Sequence, residues 1–73
     1  MKNFKIETEW ISKKGLSGNM LLTYALIQAS ELPMTNTEVA NSLRITFPTA
    51  QKCLQRLADD GLIQASVAGY SRN

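Results

Sequence analysis

Apolar residues recur with different periods along this chain, and each change of period marks an element. Residues 4–10, FKIETEW, set Phe4, Ile6, Thr8 and Trp10 against Lys5, Glu7 and Glu9. That alternation predicts a half-buried strand or extended arm within residues 1–14. Lys13, Lys14 and Gly15 interrupt it. Ser17 is placed to cap a first helix running to about Glu31. Met20, Leu21, Leu22, Tyr24, Ala25, Leu26, Ile27 and Ala29 wrap most of that helix. A one-sided stripe needs fewer, so this helix is expected at the centre of the fold or in a subunit interface.

Leu32-Pro33 ends the first helix, because the residue before a proline is pushed out of the helical region. Thr35 and Glu38 have the spacing of a reciprocal capping box and predict the start of a second helix. Val39, Ala40 and Leu43 give it one apolar face, with Asn41 and Ser42 polar. Arg44 falls in the following turn, and Ile45 is its apolar anchor. Thr46 is expected to cap a third helix, with Phe47 and Pro48 in the first turn, where a missing N–H costs nothing. Ala50, Cys53, Leu54 and Leu57 repeat at i, i+3, i+4 and i+7, and Gly61 is placed to close the helix in a left-handed conformation. Leu62 to Val67 then predicts a strand, Ala68-Gly69 a turn, and Tyr70 to Arg72 a short return strand. The expected class is mostly α with a small β-hairpin: one domain over residues 1–73, with a three-helix core over 17–61 and a hairpin over 62–73.

Composition narrows the function classes. Seventy-three residues provide one small core, and 44% hydrophobic residues is ordinary for a folded domain. No apolar run approaches the ~20 residues of a membrane span, so no membrane association is expected. The N-terminal residues lack the pattern of a signal peptide, and the single Cys53 has no internal disulfide partner. Cytoplasmic location is therefore expected. The net charge of +2 permits nucleic-acid binding without arguing for it. Distribution says more: Arg44, Lys52 and Arg56 fall on or beside the third helix, with Asp59 and Asp60 at its far end. There is no His, so no familiar metal-ligand spacing exists; no phosphate-cradling glycine loop or nucleophile–base constellation is present either. The expectation is a non-enzyme without metal or cofactor.

The order helix, connection, helix, tight turn, helix, hairpin resembles the winged helix-turn-helix superfamily. The likeness is strongest to MarR-like transcription regulators and to the winged-helix domains of phage and plasmid replication proteins. It is carried by Met34-Thr35, Glu38-Val39-Ala40, Leu43, Ile45-Thr46, Thr49-Ala50, Leu54, Leu57 and Asp60-Gly61-Leu62-Ile63, and covers about residues 17–67. The resemblance implies a sequence-specific binder of double-stranded DNA, nucleoid-associated, whose third helix enters the major groove. The second strand of the hairpin is expected to be shorter than the family usually has.

With Ala50, Cys53, Leu54 and Leu57 inward, the third helix turns Thr49, Gln51, Lys52, Gln55 and Arg56 outward, led by Phe47 and Pro48. Gln pairs with adenine edges, Arg and Lys with guanine or phosphate, and Thr or Phe meets a thymine methyl. The competing reading is a solvated helix face, which any amphipathic helix has. Thr35 and Thr46 are caps first, and each also offers a helix N-terminus to phosphate. Arg44 in the turn and Arg72 with Tyr70 in the hairpin complete the expected DNA contacts, although Arg72 stands near a chain end that frays easily. Asp59 and Asp60 repel phosphates, which confines groove contact to the first two turns. Lys2, Lys5, Lys13 and Lys14 read as a soluble surface diluted by Glu7 and Glu9. Cys53 reads as structural. Phe4, Ile6, Trp10, Leu22 and Leu26 are the expected contacts of a homodimer, with Trp10 a packing anchor. Two alternatives stay open: a protein-binding winged helix that bridges a larger regulator, and a replication-initiation domain that binds DNA.

Overall fold

The structure is a computed structural model that describes residues 8–12, 15–16 and 18–73. In chain order the elements are α1 (Thr8–Ser12), α2 (Gly18–Ala29), α3 (Asn36–Leu43), α4 (Phe47–Asp59), β1 (Ile63–Ser66) and β2 (Gly69–Arg72). The protein is mostly helical with one small antiparallel hairpin. No helix among the described residues is long and apolar enough to cross a membrane.

The core forms where α2, α3, α4 and β1 converge. Ile27 of α2, Val39 of α3, and Ala50, Leu54 and Leu57 of α4 are wholly shielded from solvent, and Leu16, Tyr24, Ala40 and Ile63 close around them. The i, i+3, i+4, i+7 repeat of α4 is the buried one, because that spacing stacks side chains on one face of a 3.6-residue helix. On α2 the buried positions are Thr23, Tyr24, Ala25 and Ile27. Thr23 satisfies its hydroxyl by donating to the Asn19 carbonyl one turn back at 2.7 Å. Leu22, Leu26 and Ala29, at i, i+4 and i+7, are left exposed or half-buried. This helix is thus apolar beyond what its own core covers.

Residues 8–12 are a helical turn, which corrects the strand or extended arm expected there for residues 8–10, while residues 4–7 lie outside the described residues. Period two placed Thr8 and Trp10 on one apolar face, but only Trp10 of this segment is even half-buried. Its ring meets Tyr24 edge-on, with centroids 4.8 Å apart and planes at 88°. The Leu16 amide donates to the Trp10 carbonyl at 3.0 Å and turns the chain back onto the core. A single aromatic anchor holds a helical turn as well as a strand, so alternation over so few residues did not discriminate. Phe4, Ile6, Lys2, Lys5, Lys13, Lys14 and the proposed Ser17 cap lie outside the described residues.

The helix ends follow their caps closely. The expected end of α2 near Glu31 falls instead at Ala29, where the Ser30 amide bridges to the carbonyls of Leu26 and Ile27 and its hydroxyl donates to the Leu32 carbonyl. The Thr35–Glu38 capping box is formed in both directions, at 3.2 and 2.9 Å. At the end of α4, Gly61 takes φ +76°, and the Gly61 and Leu62 amides return to the Ala58 and Leu57 carbonyls. That is the Schellman closure that requires a left-handed residue.

In the hairpin, Ile63 faces Arg72 and Ser66 faces Gly69, so the turn is Val67-Ala68, one residue earlier than expected. The second strand also pairs with the α2–α3 connection through a two-way backbone bridge between Met34 and Tyr70, at 2.8 and 2.7 Å. Gly69 adopts φ +133°, and a Cβ built there would lie 2.5 Å from the Met34 carbonyl oxygen. The missing side chain is what lets the two backbones approach.

Candidate nucleic-acid interface

The site is built by three residues between α3 and α4. Arg44 adopts φ 56° and ψ 45°, the left-handed conformation that ends α3, and is the only non-glycine with positive φ among the described residues. An L side chain pays roughly 1–2 kcal/mol there, where glycine would pay nothing. The Arg44 and Ile45 amides both return to the Ala40 carbonyl. Ile45 is half-buried against the core and pins the turn, while the Arg44 side chain is exposed beside it.

Thr46 occupies the N-cap of α4, with φ −72° and ψ 155°, but its side chain makes no capping bond. Its hydroxyl instead pairs with the hydroxyl of half-buried Thr49 at 2.8 Å. The expectation of a side-chain cap at Thr46 is therefore corrected: the position is right and the bond goes elsewhere. Pro48 lies in the first turn of the helix, where no N–H is needed.

Phe47, Pro48, Gln51, Lys52, Gln55, Arg56 and Asp59 are all exposed on α4, opposite buried Ala50, Cys53, Leu54 and Leu57. They form two parallel rows at helical spacing. One runs Phe47, Gln51, Gln55 and Asp59, uncharged until its last member; the other runs Pro48, Lys52, Arg56 and continues to Asp60. Arg56 reaches along its row to Asp60 at 3.5 Å, an exposed i, i+4 pair worth a few tenths of a kcal/mol. The sequence reading did not single out this pair, although its four-residue spacing was the signal for it.

The other expected contacts are dispersed. Thr35 is an exposed cap at the start of α3 and its hydroxyl is engaged by the Glu38 amide. Arg72 stands at the base of the hairpin opposite Ile63 and donates to the Gln28 carbonyl of α2 at 3.4 Å. The neighbouring Asn73 amide donates to the Gly61 carbonyl, which places this chain end by the C-terminal end of α4. Phe47 is then about 18 Å of helix away, so Arg72 does not join the Arg44–Phe47 end. The hairpin tip carries no cation; it presents Val67, fully exposed. Of the expected dimer contacts, Trp10 packs on Tyr24, Leu26 is half-buried against the core, and Leu22 is 37% exposed.

Among the described residues no group of three His, Cys, Asp or Glu side chains is arranged to hold a metal ion, and Cys53 is buried in α4. No family model, curated protein or solved structure matches the chain.

Proposed function

We propose that this is a sequence-specific DNA-binding protein of the winged helix-turn-helix type, acting as a small transcriptional regulator that inserts α4 into the major groove. The observation that carries the reading is the asymmetry of α4. One face is sealed into the core, and the other is wholly exposed, bears amides and cations, and is offered by a tight three-residue turn from α3. A helix presented in that way has the length and chemistry to lie in a groove about 12 Å wide. Phosphate contacts come from Arg44, Lys52 and Arg56, with the α4 N-terminus contributing its unpaired amides. The hairpin adds little charge, since Arg72 is turned to α2.

The same reading includes a homodimer. Described residues span 29 × 26 × 23 Å, less than one turn of duplex, so one copy covers one half-site. Leu22, Leu26 and Ala29 supply an apolar stripe on α2 for a second copy to cover.

The test is a fluorescence anisotropy titration against duplexes recovered by selection from a random library. Lys52→Ala with Arg56→Ala should weaken binding at least tenfold and flatten its salt dependence by about two counterions. Thermal stability should be nearly unchanged, since both side chains are exposed. Unchanged affinity in the double variant would refute this placement of the DNA-contacting face. The protein-bridging alternative draws on the uncharged hairpin tip with Val67 exposed, and total lack of binding to any duplex would favour it.

A further inference from the structure

We propose that α4 selects A·T base pairs, with Gln51 and Gln55 reading adenines and Phe47 meeting a thymine methyl. This rests on the DNA-binding reading above and specifies its ligand. Phe47, Gln51 and Gln55 follow one another at i, i+4 and i+8, all exposed, and neither glutamine side chain makes a hydrogen bond among the described residues. Their side-chain amides are therefore open on both donor and acceptor. A Gln amide matches the N7 acceptor and N6 donor of adenine in a bidentate pair, which guanine with two acceptors does not offer.

Charge decides which row faces the bases. The adjacent row carries Lys52 and Arg56, and a cation gains more from a phosphate than an uncharged amide does. The cation row therefore takes the groove wall and leaves Phe47, Gln51 and Gln55 for its floor, with Asp59 one turn further on and outside the groove. Arg56, the guanine-reading side chain type, is further drawn along its own row by Asp60 at 3.5 Å. Gln51 and Gln55 are about 6 Å apart along the helix. That separation matches adenines about two base steps apart, at roughly 3.4 Å each. Phe47, at the leading end and 47% exposed, has free ring surface for a thymine methyl one helical turn earlier.

The experiment replaces atoms in the DNA. Duplexes enriched by selection with the intact chain should contain adenines spaced in this way. Replacing one contacted adenine by 7-deazaadenine removes only the N7 acceptor and should weaken binding roughly tenfold. The same substitution should have no further effect in Gln51→Ala or Gln55→Ala, whichever reads that adenine. Replacing guanines by 7-deazaguanine should change nothing. Binding that is indifferent to 7-deazaadenine, or sensitive to 7-deazaguanine, would overturn adenine reading while leaving DNA binding intact. Failure to bind any duplex would overturn the DNA-binding reading itself, and this one with it.

Discussion

Leu54 and Gln55 are neighbours in the chain and opposites in environment, one wholly buried and the other exposed. Leu54→Ala should therefore cost about 2–5 kcal/mol through lost burial and a residual cavity. Gln55→Ala should cost no more than about 0.5 kcal/mol, as surface changes usually do. A urea melt of the two variants compares them directly, and equal losses would mean the helix is rotated from the orientation described. Single residues of this kind were legible in the sequence, because periodicity alone separates inward from outward on a long amphipathic helix. Thr46 was legible only in part. Its position before Phe47-Pro48 marked the helix start, but nothing in the sequence showed that its hydroxyl would be taken by Thr49.

At the scale of elements, the two helices that carry strong local signals lie where the sequence placed them. The Thr35–Glu38 box and Gly61 fix their ends by short-range chemistry, which a sequence exposes. Elements that depend on distant partners were less readable. The turn of α1 is held by Trp10 against Tyr24, and β2, besides pairing with β1, is tied to Met34. Neither contact has a local signature. The Met34 tie makes Gly69 the sensitive position of the hairpin. Gly69→Ala puts a methyl group 2.5 Å from the Met34 carbonyl at an unfavourable φ, and should cost about 1–3 kcal/mol as the bridge gives way. Val67→Ala, two residues earlier at the open tip, should be nearly neutral. Chemical denaturation that ranks the two variants alike would show that the close approach is not maintained in solution.

At the scale of the whole molecule, the apolar stripe on α2 is the feature a single copy leaves unresolved. Light scattering at micromolar concentration should give the mass of two chains, and Leu22→Lys should return it to one chain without loss of helix content by circular dichroism. A single-chain mass at every concentration would exclude the homodimer. That stripe had a clear sequence signature in the excess of apolar residues on the first helix, whereas the packing that covers part of it depends on how α4 crosses α2. The Met34–Tyr70 bridge also carries a loop-closure cost in folding. Closing it brings together residues separated by the whole of α3, α4 and β1, so its loop entropy exceeds that of any helical turn. The helices and the β1–β2 hairpin need only short loops and can form in microseconds, whereas this bridge needs that longer closure. The contact that ties the hairpin to the segment leading into α3 is thus among the most non-local in the fold, together with that of Arg72 on Gln28, and both close only once the chain has folded back on itself.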